Sequence, residues 1–107
     1  MPNTRIRDLN DQLRRTFAGG RVMLTAGVDA LGTAAKARVL QAIQTFDGFN
    51  KDNDPHGEHD FVSVAVDGQT YFAKTDYYAP DLEHGSKDPS DPAKTIRVMT
   101  IMLASEY

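Results

Sequence analysis

Cysteine is absent from the 107 residues, which excludes disulfides, thiolate metal sites and reactive-thiol chemistry. Tryptophan is absent too. No apolar run approaches the roughly 18 residues that a bilayer-spanning helix requires. The stretch Met1-Pro2-Asn3-Thr4-Arg5 carries no apolar segment behind its charge, so it lacks the pattern of a secretory signal. A domain of this size can stand without staples. The expectation is therefore one cytoplasmic α+β domain over residues 1–107, with no association with a membrane. With 40% hydrophobic and 25% charged residues, the chain has the composition of a protein with one core and neither disorder nor a coiled coil.

The charge is small in total, −3, but unevenly spread. Residues 1–46 hold seven Lys/Arg against three Asp, a net of +4, and residues 47–91 hold eleven Asp/Glu against three Lys, a net of −8. An acidic segment of this kind suits a basic partner, such as a protein that normally grips nucleic acid. It equally suits a loop-rich surface that is merely solvated.

Thr4 is placed to cap a helix over about 4–17, with Ile6, Leu9, Leu13 and Phe17 in one apolar stripe. Arg7, Asp11, Gln12, Arg14 and Arg15 fall largely off it, and Gly19-Gly20 ends it. Arg21–Thr25 reads as a short buried strand, and Gly27 and Gly32 mark the turn after it. Thr33 is a plausible cap for a second helix over about 33–46, with Val39, Ile43 and Phe46 on one side and Asp47-Gly48 as its stop. Residues 47–60 read as loop.

Asp67-Gly68 between Phe61–Val66 and Gln69–Lys74 is a strong hairpin signal, because a type I′ turn needs positive φ at both central residues. A two-residue turn fixes register. Val66 faces Gln69, Val64 faces Tyr71, Phe61 faces Lys74, and by extension His59 faces Asp76. The hairpin, 61–66 with 69–76, is expected at the centre of an antiparallel or mixed sheet, joined by the strand at 21–25, with two to three helices on one face. Residues 77–91 are polar loop. For 92–105, Asp91 as cap and Pro92 at the first helical position favour a helix, while the β-branched run Thr95-Ile96-Arg97-Val98 favours a strand; the helix is the preferred reading.

Asn53-Asp54-Pro55-His56-Gly57-Glu58-His59-Asp60-Phe61 is the densest run of ionisable groups. Its opening echoes a calcium loop, with Asp52, Asp54 and His56 alternating and Gly57 sixth, but the twelfth position is Ser63 where a bidentate Glu is needed. A second reading places one hairpin face as His59, Phe61, Ser63, Phe72, Lys74 and Asp76, a histidine beside a carboxylate. His59, Asp76 and Glu58 are then the catalytic or metal-binding candidates, with Asp60 near them. No HxxxH pair, GxSxG elbow or phosphate-cradling glycine loop accompanies them. No metal set or cofactor is expected. The third reading is structural, with a His–Asp pair closing the hairpin and Glu58 accepting backbone N–H groups. Of the aromatic residues Tyr71, Phe72, Tyr77 and Tyr78, most suit the core, and Tyr77 or Tyr78 suits a protein interface. Those aromatics could also stack nucleic-acid bases, but the acid around them would repel phosphate. Arg7, Arg14 and Arg15 could touch phosphate, but arginines on a solvated helix face are commonplace, so direct nucleic-acid binding is the weaker expectation.

Several segments in order resemble the bacterial family known as domain of unknown function 3768. They are Ile6-x-x-Leu9-Asn10-Asp11, Gly19-Gly20-Arg21-Val22, Thr25-x-Gly27-Val28, Asn53-Asp54-Pro55-x-Gly57-Glu58-His59-Asp60-Phe61, Asp76-Tyr77-Tyr78, and Arg97–Ala104 followed by Glu106-Tyr107. Val62 stands where a glycine is common in that family and Ala73 where an aromatic is common; if that aromatic builds a pocket, the pocket is in doubt here. The resemblance implies an accessory protein of plasmids and integrated mobile elements, with no catalytic residues to transfer. The leading expectation is a non-catalytic binding protein of anti-defence or inhibitor type. It would engage a basic nucleic-acid-handling protein through Asp54, Glu58, Asp60, Tyr77, Tyr78, Asp81 and Glu83. A small hydrolase or metal-binding protein, and a small DNA-binding regulator, are the alternatives.

Overall fold

The computed structural model describes residues 4–107. Helix α1 (Arg5–Thr16) is the amphipathic segment expected from its stripe, and it ends one turn before the glycines. Phe17 takes the left-handed cap at φ 58° and its N–H closes on Leu13 O. Thr4 sits at the other end with no side-chain cap bond. Strand β1 (Arg21–Leu24) follows, then a one-turn helix α2 (Ala26–Asp29) and helix α3 (Thr33–Thr45). The residue capping α3 is Gly32 rather than Thr33, which is already helical. Asn50 and Asn53 hold the bend after α3: Asn50 Oδ1 accepts from the N–H groups of Asp52 and Asn53, and Asn53 Nδ2 donates to Gly48 O.

Strands β2 (Phe61–Val66) and β3 (Gln69–Tyr78) form the expected hairpin, with Val66 opposite Gln69, Val64 opposite Tyr71 and Phe61 opposite Lys74. Asp67 and Gly68 both have positive φ, at 52° and 79°, as a type I′ turn demands. Residues 96–103 are strand β4 (Ile96–Leu103), and a short 3₁₀ turn (Ala104–Glu106) follows. The helix reading of 92–105 is overturned. Asp91 and Pro92 instead build turns, in which Asp91 Oδ1 accepts from Ala93 N and Lys94 N closes on Asp91 O. The β-branched run then pairs along the full length of β3, from Tyr78 opposite Ile96 to Tyr71 opposite Leu103.

The sheet order is β1-β4-β3-β2, with β1 parallel to β4 and the other pairs antiparallel. β1 therefore joins the sheet through β4 and not through the hairpin, and it is a half-exposed edge strand rather than a buried one. One face packs Val62, Tyr71, Ala73, Met99 and Ile101 against Leu13, Val28, Val39 and Ile43 from the three helices. Alternation sends Met23, Val98, Met102, Phe72 and Phe61 to the other face, which no α-helix of the described residues covers; Tyr107 packs on Phe61 and Phe72 there, and Met102 is buried.

Close approach fixes two glycines. A Cβ at Gly20 would meet the backbone oxygen of Arg97 at 2.7 Å, a contact that cannot give; one at Gly27 would meet the movable ends of the Leu103 and Glu106 side chains at 2.6 and 2.8 Å, displacing the Glu106 bonds. Beside Gly27, Glu106 accepts from Gly27 N, Thr25 Oγ1 and Leu103 N, bringing together two segments distant in the chain.

The two departures from the family pattern are cross-strand partners, Val62 opposite Ala73, both buried on the core face. A glycine facing an aromatic, which the resemblance implies at this pair, would fill the same space as a valine facing an alanine. The aromatic position thus belongs to the core, and its loss removes no pocket. Val62→Gly should cost about 2–4 kcal/mol, and Ala73→Phe about 1–3 kcal/mol by overpacking. In urea unfolding, the double variant should cost less than the sum of the singles by about 1 kcal/mol or more. Strict additivity would refute the exchange.

Candidate functional site

The chemistry-bearing residues of the 53–61 segment converge on α1. His59 has φ 56°, a left-handed conformation that histidine tolerates better than most side chains. That turn takes it off the line of β2 before the ladder begins, so it never reaches the position opposite Asp76. The last ladder bond is Thr75 N to Asp60 O. His59 Nδ1 lies 2.8 Å from Asp11 Oδ1, and Nε2 lies 3.6 Å from Asp54 Oδ2. An ionised carboxylate only accepts, so Nδ1 carries the proton of the first bond. The ring stacks on Phe49 at 3.7 Å and 4°. Asp76 sits on the opposite face, opposite Val98, with its carboxylate 3.4 Å from Lys74 Nζ.

Asp11 also accepts from Arg14 Nη2 at 2.9 Å. Arg14 is only 2% exposed, and its Nη1 donates to the carbonyls of Ile43, Gln44 and Phe46, the unpaired end of α3. It is therefore absent from any DNA-facing surface, while Arg7 pairs with Asp8. Burial on its own would raise the Asp11 pKa; the bonds from His59 and Arg14, with their attraction, outweigh it and hold the carboxyl below its ordinary value.

One turn earlier, Asn10 Nδ2 donates to Glu58 O and to the Tyr77 hydroxyl, which donates in turn to Glu58 Oε1 at 2.8 Å. Asn10 Oδ1 accepts from Arg97 Nε, and Arg97 Nη2 donates to Pro89 O. Burial pushes the Tyr77 phenol well up, and the bond to Glu58 and the charge of that carboxylate add to the shift. Burial draws Arg97 down from its ordinary value. Glu58 serves a tyrosine hydroxyl, and the acceptor for a backbone N–H is Asp54, through His59 N. Asp60 is pushed above the usual carboxylate range by burial and by the nearby Glu58 and Asp54.

The catalytic candidates are thus not brought together. Glu58 and His59 are engaged in separate interior bonds, and Asp76 lies across the sheet. Neither of two surface hollows is lined by any of them. Of the expected binding residues, Asp54 is buried, and Glu58, Asp60, Tyr77 and Tyr78 are partly buried. Asp81 and Glu83 are exposed on the 79–85 loop, where they and His84 offer ligand atoms within 4.8 Å of one another. That loop explains its own arrangement, since Asp81 caps the N–H groups of Glu83 and His84 and binds the His84 ring.

Sequence reasoning missed Asn10, Asp11, Arg14, Phe49 and Arg97 as members of this network. A signal existed for Asn10: four residues after Ile6 and three before Leu13, it shares the apolar stripe. A polar residue there signals a buried hydrogen-bond partner.

Tyr77→Phe strips Asn10 and Glu58 of a partner and should cost about 1–3 kcal/mol in urea unfolding. A change indistinguishable from zero would remove this tie from the account of stability. For Asp11 the lowered pKa gives stability that is full above the unfolded value of about 3.9 and is lost as pH falls through the lower folded value. Asp11→Asn should therefore melt below wild type at neutral pH, and the two should converge on acidification. A gap that stays constant to the acid limit of folding would contradict this.

Residues 24–106 match the model of the family described as "Protein of unknown function (DUF3768)". No curated protein and no solved structure matches the chain. The matched stretch contains Glu58, His59, Tyr77 and Arg97, whose partners on α1 lie before it. The chain belongs to the DUF3768 family.

Proposed function

We propose that this is a non-catalytic binding protein that docks the uncovered face of its sheet on a basic protein, with acidic loops steering the encounter. The observation that carries the reading is that face itself. A sheet open on one side ordinarily alternates apolar-in and polar-out. Here Met23, Val98, Phe72 and Phe61 point outward among Lys74, Asp76 and Thr100, Met23 being 52% exposed and the other three apolar side chains half-buried, while Met102 on the same face is buried. Aromatic and methionine side chains are what interface centres use.

The charge supplies the partner class. The acidic segment 47–91 contributes Asp47, Asp52, Asp81 and Glu83 as exposed carboxylates. Such charges govern encounter rate and partner choice more than affinity. A protein that grips nucleic acid offers the complementary surface. The mobile-element setting implied by the family resemblance fits an inhibitor or anti-defence role in the bacterial cytoplasm. Direct nucleic-acid binding is disfavoured, because Arg14 is buried and the exposed acid repels phosphate.

Immobilised protein should retain a basic host protein at low salt and release it as salt rises. Met23→Glu and Phe72→Ser should abolish retention while leaving the fold intact by circular dichroism. Retention of an acidic protein, or equal retention by both variants, would refute the reading.

A further inference from the structure

The outward face continues into a hollow of about 410 Å³ between the loop after α3 and β2, lined by Phe46, Gly48, Asp52, Asn53, Phe61 and Ser63. We infer that this hollow receives an arginine side chain presented by the basic partner, an inference that rests on the binding reading above.

Two aromatic rings form the apolar walls, and both are held by neighbours. Phe46 meets Phe49 edge-on at 4.8 Å, and Phe49 is itself stacked on His59. Phe61 packs against Phe72 at 5.0 Å and against Tyr107 at 6.1 Å. Phe46 itself packs against the helix-covered core, so the buried network stiffens one wall of the hollow through Phe49. Asn53 is committed to the bend, its Oδ1 accepting from Asn50 N and its Nδ2 donating to Gly48 O. Asp52 is the carboxylate that lines the hollow. It is exposed, and no ion pair is made to it among the described residues. Ser63 adds an outward hydroxyl from β2.

Aromatic walls with one unpaired carboxylate and a hydroxyl fit a cation with a flat face. A guanidinium can stack on a ring, fork onto a carboxylate and still donate to a hydroxyl. An ammonium matches the carboxylate but gains less from the rings. An anion would meet Asp52; of the cations nearby, Lys51 adjoins it in sequence, and Lys74, opposite Phe61, is already paired with Asp76.

The test is an amide NMR titration of the full chain with the peptide acetyl-Gly-Arg-Gly-amide, against the same peptide with citrulline or lysine replacing arginine. Citrulline keeps the shape and loses the charge. Shifts should centre on Gly48, Asp52 and Ser63 with arginine, be weaker with lysine and vanish with citrulline. Asp52→Asn, an exposed change that spares the fold, should weaken the arginine peptide roughly two- to fivefold, the loss expected of an exposed ion pair. Phe61→Leu should weaken it as well. Equal shifts with citrulline, no shifts at all, or an unchanged Asp52→Asn titration would overturn the inference. Failure here with retention of a basic protein intact would leave the binding reading standing. Peptide binding without any retained partner would do the reverse.

Discussion

A buried guanidinium is the constraint on which the rest of this structure depends. Arg14 leaves α1 and ends among the last carbonyls of α3, so that one side chain satisfies the end of a neighbouring helix. A charge taken out of water demands a counter-charge. Asp11 supplies it, and the same carboxylate oxygen is also bound by His59. The 47–60 loop is thereby fastened to α1. Asn10 extends the fastening to the sheet through Tyr77 and Arg97. The density of ionisable groups in the 53–61 segment, which reads as chemistry in one dimension, is the means of attaching a long loop in three.

Features governed by neighbours in sequence were the legible ones. The register of β2 and β3 followed from a two-residue turn, because Asp67-Gly68 leaves no freedom in the pairing. The position of α1 followed from its stripe. The extension of that register to His59 failed because one left-handed residue outside the turn redirects the chain. Strand β4 was misread because the Asp91-Pro92 signal is equally good for a turn, and only contact with β3 decides between them. Arg14 reads as surface because nothing local reveals that the last carbonyls of α3, distant in sequence, will accept from it. The candidate site was therefore visible as a composition but not as an arrangement.

The two faces of the sheet divide the labour. The helix-covered face uses the polar residues of the acidic segment for attachment, and the open face carries half-buried Phe61 and Phe72 with exposed Met23 beyond them. This separation lets a small domain be acidic outside without weakening itself. Of the carboxylates in the segment, Asp54 and Glu58 sit within hydrogen bonds of the interior, while Asp52 and Glu83 remain on the surface.

The parallel pairing of β1 with β4 bears on how the chain folds. The hairpin of β2 and β3 closes over two residues, and β4 can join it across the 79–95 loop. β1 has no sheet neighbour but β4, and the whole of α2, α3 and the hairpin intervenes between them. Closing so long a loop is entropically costly and slow relative to local pairing. The β1–β4 pairing is thus the contact that most raises the contact order of the fold, and until it closes the β4 edge is the one open to pairing with another chain.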